Sequence, residues 1–213
     1  MIAESNNVLL AKVIEEVWLN VIIINLLWRL YFKSMITNIQ RITTEISDIN
    51  NLSTNLWYSG CRLFCNGCQN SQLKDFCAGM DIEEVRAQLK ERRHFTDWLV
   101  HTGGNPIDSA DLLLEIADYA KSLGYKQFLF CGYTEEEMVR LIGEERNKRL
   151  IRLIDYVKVG AYEENKDKDK FNCHEYHFAT LNQMVIKSDT VNGRWESYYK
   201  YVPNAVISRF VVI

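Results

Sequence analysis

The chain has 213 residues, 47% of them apolar and 25% charged, an average globular composition that excludes disorder and fibrous repeats and predicts one domain, or one domain with an appendage. A net charge of −3 with no basic stripe argues against nucleic acid as the main partner. Six cysteines stand out. The chain shows no basic front and small-residue exit of a cleavable signal peptide, so the thiols read as metal ligands or catalytic groups in a reducing compartment, the cytoplasm, rather than as a disulfide framework.

In chain order, Val17–Leu30 (VWLNVIIINLLWRL) is strongly apolar but carries Asn20, Asn25 and Arg29, and it is shorter than the roughly 18–20 clean apolar residues of a membrane span. Asn25, Arg29 and Lys33 follow i, i+4 spacing, so a helix here has one narrow polar stripe and packs on the domain or on a partner. A membrane-surface helix is the weaker alternative. A natural start at Met35 is a third. Residues 1–34 are then an apolar extension and residues 35–213 the domain proper.

Leu56–Ser59 is a short strand candidate that delivers the chain into the cysteine loop. Asp81 caps a helix to about Arg92, with Glu83 and Glu84 in its first turn. Trp98–His101 reads as a strand, stopped by the breaker cluster Gly103-Gly104-Asn105-Pro106. Ser109–Leu123 places apolar residues at 112, 113, 116, 117, 120 and 123 and ends at Gly124, a helical stripe with its stop. Gln127–Cys131 is a buried-type strand, Thr134 caps a helix through Met138, Leu141 and Ile142, Arg149–Ile154 is helical, and Tyr156–Val159 is a further strand. This alternation predicts an α/β fold with a parallel sheet of βαβ units. Glu163–Lys170 is a charge-rich solvated loop. Gln183–Lys187 reads as a strand, and Trp195–Val202 with Ala205–Ile213 as a hairpin about Pro203-Asn204.

The chemistry lies in Cys61, Cys65 and Cys68, a C-x3-C-x2-C spacing on one short loop. Thiolates are soft ligands that select iron–sulfur clusters or zinc. Three thiolates on a four-iron cubane leave one iron without a protein ligand, and an open position is what separates a reactive metal site from a structural one. Gly60 and Gly67 suit a tight loop that a ligand approaches closely.

With Ser59-Gly60-Cys61 at the loop entry, Gly67-Cys68-Gln69-Asn70 at its exit and Gly103-Gly104-Asn105-Pro106 beyond, the chain resembles the radical S-adenosylmethionine superfamily. It is most similar there to the activating proteins of anaerobic ribonucleotide reductase. Gly132-Tyr133-Thr134, Val157-Lys158-Val159-Gly160 and Asn182-Gln183 continue the likeness, which covers about residues 50–190. The resemblance implies an incomplete (β/α) barrel with a C-terminal β extension and the cluster loop at the end of its first strand. It implies a [4Fe–4S] cluster that reduces S-adenosylmethionine, and a 5′-deoxyadenosyl radical that takes hydrogen from a glycine Cα of the partner reductase's large subunit. A flavodoxin- or ferredoxin-type protein is the implied electron donor.

By position, the resemblance makes Cys61, Cys65 and Cys68 the cluster ligands, and Gly67, Cys68, Gln69, Gly103, Gly104 and Asn105 the contacts to S-adenosylmethionine. No catalytic side chain is implied beyond the cluster. Asn105 stands where the family usually has Asp or Glu; its amide oxygen can accept from an ammonium group, without charge assistance. Phe178-Ala179-Thr180-Leu181 replaces the usual Arg-Gly-Ser-Ser. Competing readings are an enzyme of the same superfamily acting on another partner, and a non-catalytic zinc or iron–sulfur module completed by Cys77. Cys131 reads as a small buried hydrophobe, the trio Cys173, His174 and His177 as surface or packing, and His94 and His101 carry no assignment.

Overall fold

A computed structural model of the chain describes residues 17–18, 20–22, 36–47, 49–164, 180 and 182–200. The chain divides into two compact units, Met1–Ile36 and Thr37–Ile213. In the first, Val17, Trp18 and residues 20–22 are helical, as the apolar pattern predicts, and Trp18 is exposed. Asn25, Arg29 and Lys33 lie outside the described residues. Among the described residues, no helix is long and apolar enough to cross a membrane.

Among the described residues, the second unit is built on a seven-stranded sheet whose spatial order is its chain order: β1 (Ile39–Ile46), β2 (Leu52–Tyr58), β3 (Trp98–Gly103), β4 (Lys126–Phe130), β5 (Tyr156–Val159), β6 (Met184–Asp189) and β7 (Arg194–Lys200). β2 to β5 are parallel, while β1, β6 and β7 add antiparallel strands at the two sides. The α/β class is as expected, and the sheet is mixed and open.

Each parallel neighbour is reached through α1 (Ile82–Arg92), α2 (Ala110–Ser122), or the pair α3 (Glu135–Ile142) and α4 (Glu144–Leu153). The crossovers all step the same way along the sheet, and such connections keep one hand, so the helices collect on one face. One core holds Val85 and Leu89 of α1, Ile116 and Ala120 of α2, Met138 of α3 and Leu150 of α4, against Leu56, Leu99, Leu129, Val157 and Ile186 of the sheet. The alternate residues Val100, Phe128 and Val185 form a smaller cluster, as the two-residue period of strands requires.

Helix starts follow the local chemistry. Asp81 accepts from the Glu83 N–H at the head of α1, and Thr134 with Glu137 forms a reciprocal capping box at the head of α3. Two elements differ from expectation. β1 precedes the cysteine loop, which therefore follows the second strand of the sheet, the first parallel one; β1 escapes notice because its inward positions include Thr44 and its sequence IQRITTEI has no apolar run. The strand at 194–200 pairs with β6 across a turn at 190–193 that uses Gly193 at φ +66°; the expected partner at 205–213 lies outside the described residues.

A buried polar chain crosses the sheet beneath its parallel ends. The Tyr58 hydroxyl stands 3.0 Å from His101 Nδ1, and His101 Nε2 stands 2.9 Å from Gln127 Oε1. Gln127 Nε2 donates to the Ala117 and Leu153 carbonyls at 2.8 and 3.0 Å. That orientation leaves Oε1 as acceptor, so His101 carries its proton on Nε2 and accepts from Tyr58 on Nδ1.

Candidate functional site

The four parallel strands end together, and each exit carries one of the motifs read from the sequence. β2 runs into the cysteine loop, β3 into Gly104-Asn105, β4 into Cys131–Thr134 and β5 into Gly160–Glu164. Loops at the carboxyl ends of parallel strands are where such sheets place their chemistry.

The cysteine loop is closed at its base. Gly60 N–H donates to Leu73 O at 2.8 Å and Cys61 N–H to Lys74 O at 2.9 Å. The neighbouring strand end is sewn to it, with Gly104 N–H on Tyr58 O at 2.8 Å and Asn105 N–H on Gly60 O at 2.9 Å. This packing accounts for the paired glycines. A Cβ on Gly103 would lie 2.4 Å from Tyr58 O, and one on Gly104 would lie 2.4 Å from Gly60 O and 2.8 Å from Leu73 O. Both contacts are with backbone, which cannot swing away.

Cys61, Cys65 and Cys68 are free thiols, each half-buried. Burial raises the pKa of the Cys61 thiol, opposed by a hydrogen bond with the Leu63 backbone, and the charges of Asp108, Cys65 and Cys68 push it the same way as burial. The loop thus carries its three soft donors in one electrostatic neighbourhood. Among the described residues, no three His, Cys, Asp or Glu side chains already stand as a metal-binding group. The donor set fits an iron–sulfur centre by its chemistry: three unpaired thiols on a loop tied mainly at its base, with Gly67 at φ +70° turning its tip.

Cys77 is exposed, and its backbone is tied to Ser59 and Gln40 near the start of β1. Cys131 is 3% exposed in the apolar core and its thiol is pushed up to about 12 by burial, in keeping with a small buried hydrophobe. Cys173, His174 and His177 lie outside the described residues.

Of the expected cofactor contacts, Gly67 and Gln69 are exposed on the loop, Cys68 is half-buried, and Gly103 is buried with its carbonyl accepting from Asn70 Nδ2 at 3.1 Å. Asn105 is only 2% exposed. Its Oδ1 accepts the Gly132 N–H at 3.3 Å and its Nδ2 donates to Asp108 Oδ2 at 3.0 Å. The amide oxygen expected to meet an ammonium group is therefore already engaged with the exit of β4.

Asp108 went unassigned in the sequence, and Tyr133 read there as packing. Asp108 accepts from Arg62 N–H, Asn105 Nδ2 and the Tyr133 hydroxyl. Tyr133 is half-buried, and burial, then the Asp108 carboxylate, raise its phenol pKa. An Asp in the first turn before a helix carries no sequence signal beyond favourable helix chemistry, so only its neighbours reveal it. Asn182 and Gln183 hold the exit of β5, donating to Ala161 O at 2.8 Å and Gly160 O at 3.1 Å. Beside the cysteine loop, Leu63, Phe64, Cys65, Asn66, Ala161 and Tyr162 line an open groove of about 520 Å³, and Phe64 is 90% exposed.

Residues 52–186 match the family model described as a 4Fe-4S single cluster domain. The chain is 25% identical over 138 residues to an anaerobic ribonucleoside-triphosphate reductase-activating protein of Pasteurella multocida, covering 60% of this chain and 85% of that protein. It is 29% identical over 145 residues to a provisionally named glycyl-radical enzyme activating enzyme of Methanocaldococcus jannaschii, covering 67% of this chain and 57% of that one.

Proposed function

The chain belongs to the 4Fe-4S single cluster domain family, and from that premise we propose that it is an activating enzyme of the radical S-adenosylmethionine type that generates a glycyl radical on anaerobic ribonucleotide reductase. The observation that carries the reading is the gathering of three free thiols and three further strand-end motifs at one edge of the sheet. Cys61, Cys65 and Cys68 would hold the cluster, with three thiolates for its four irons. When bound, the cluster supplies a low-potential electron for cleavage of the sulfonium bond of S-adenosylmethionine, the route to hydrogen abstraction at a glycine Cα.

The protein's own contribution is orientation and exclusion of water. Gly67, Cys68 and Gln69 would lie against bound S-adenosylmethionine at the loop exit, and Gly103, Gly104 and Asn105 would bring the end of β3 to its methionyl amino group. Asn105 acts there through its backbone and its bonds to Gly132 and Asp108. The one-sided arrangement of helices on β2 to β5 supports an incomplete (β/α) barrel. The groove beside Phe64 offers an apolar edge for a partner protein. A flavodoxin- or ferredoxin-type donor supplies the electron, and the reaction belongs in the cytoplasm.

The test is to reconstitute the chain anaerobically, reduce it, add S-adenosylmethionine and the reductase large subunit, and record the electron paramagnetic resonance spectrum. A glycyl-radical doublet together with release of methionine is expected. Cofactor cleavage with no doublet on the reductase would redirect the activity to a different glycyl-radical partner. Zinc in place of iron would leave only a structural metal module.

A further inference from the structure

The Asp108 carboxylate receives one hydrogen bond from each of three strand exits. Oδ2 accepts the Arg62 N–H at 2.9 Å, from the loop after β2, and Asn105 Nδ2 at 3.0 Å, from the exit of β3. Oδ1 accepts the Tyr133 hydroxyl at 3.0 Å, from the exit of β4. Arg62 directly follows Cys61. The base of the loop is tied by backbone bonds at Gly60 and Cys61, and Asp108 is the next anchor along it.

Three converging donors explain the residue type. A carboxylate offers about four acceptor sites and no donor, whereas an amide would turn an NH2 group towards one of them. Hydrogen bonds to an ionised acceptor are also stronger than neutral ones. The side chain is half-buried, where such bonds compete less with water.

We propose that Asp108 is a positioning residue: it fixes the direction in which the chain leaves Cys61, holding the cysteine loop over the ends of β3 and β4 before any cluster is assembled. The proposal rests on the reading of Cys61, Cys65 and Cys68 as cluster ligands. A fixed carboxylate beside that loop also disfavours adding an electron there, so its removal shifts the cluster's midpoint potential in the positive direction.

Hydrogen exchange of the metal-free full-length chain tests the positioning directly. In Asp108→Ala the Arg62 amide is expected to exchange about tenfold faster, the loss of one charge-assisted hydrogen bond, while the Leu99 and Leu129 amides in the core strands keep their protection. Asp108→Asn, which retains an acceptor for Arg62, is expected to restore most of that protection. After anaerobic reconstitution, Asp108→Ala is expected to release iron to a chelator about tenfold faster than the unsubstituted protein. Asp108→Asn keeps its iron but reduces at a more positive potential. Unchanged Arg62 exchange and unchanged iron release in Asp108→Ala would overturn the proposal. If that variant does not fold, Arg62 exchange in Asp108→Asn, which loses the charge assistance of that bond, is read instead, and exchange no faster than in the unsubstituted protein overturns it. Failure of the unsubstituted protein to take up iron would count against the ligand assignment alone, because the exchange experiment is run without metal.

Discussion

Tyr58 and His101 meet at 3.0 Å between fully buried side chains, with the phenol donating to Nδ1 and the imidazole donating onward to Gln127. Because both ring nitrogens are committed, a second ring proton has nowhere to go. Burial holds the His101 pKa down at about 4 from 6.5, opposed by the Gln127 bond. The unfolded chain therefore binds a proton before the folded one does, and stability rises with pH across that window. This group's contribution is complete above pH 6.5 and is lost as the pH falls towards 4, on the order of 3 kcal/mol in all. Denaturant titrations at pH 7, 5.5 and 4.5 should show the loss, and the His101 ring resonances should stay those of a neutral imidazole down to about pH 4.

The same chain predicts a large cost for Gln127→Leu. That change leaves the Ala117 and Leu153 carbonyls and the His101 N–H without their partner. Each orphaned buried group costs about 1–3 kcal/mol, so the variant should lose at least about 3 kcal/mol in urea unfolding.

Gly104→Ala and Gly193→Ala separate close packing from backbone strain. At Gly104 the new Cβ meets the Gly60 and Leu73 carbonyl oxygens at 2.4 and 2.8 Å. The cysteine loop must then move off the end of β3, at a cost of about 1–3 kcal/mol. At Gly193 nothing lies within 4 Å and only the φ of +66° is unfavourable, a cost of about 1 kcal/mol. Thermal unfolding should rank them in that order, and only Gly104→Ala should weaken iron retention after reconstitution.

Single Cys→Ser changes sort ligands from bystanders. Loss of Cys61, Cys65 or Cys68 should leave well under the about four irons per chain of an intact cubane. Cys77→Ser should keep full iron, since Cys77 is exposed and its backbone is held by Ser59 and Gln40. Cys131→Ser should also keep iron but lose about 1–3 kcal/mol of stability, because it buries a hydroxyl in an apolar core. Iron analysis and denaturation of the same samples check both halves.

Thr134→Ala removes the reciprocal cap of α3 and should cost about 1 kcal/mol. Thr134 also follows Tyr133 directly, so fraying of this helix start should loosen the Tyr133–Asp108 bond and speed exchange at Arg62. Amide exchange on the metal-free chain reads both effects.

Local chemistry was legible in the sequence wherever a few neighbouring residues decide the outcome. Asp81 and Thr134 cap helices, Gly124 ends one at φ +83°, and Tyr156–Val159 is a strand to the residue. The C-x3-C-x2-C spacing likewise picked out a loop with three soft donors, because ligand type and separation are properties of a short segment.

What the sequence could not supply depends on residues far apart in the chain. β1 takes its place through pairing with β2 rather than through an apolar run. His101 looked partnerless because Tyr58 and Gln127 are distant in sequence. Asn105 looked free to meet a ligand until the exit of β4 was folded against it, and Asp108 gained its three donors only when three strand ends came together. The sequence by itself determined the helices, most of the strands, two helix caps and the donor atoms of the loop, since those follow from short-range sterics and residue chemistry. Only the tertiary structure decided which polar groups are spent holding the site together, because a hydrogen bond is assigned by which donor and acceptor packing leaves within reach.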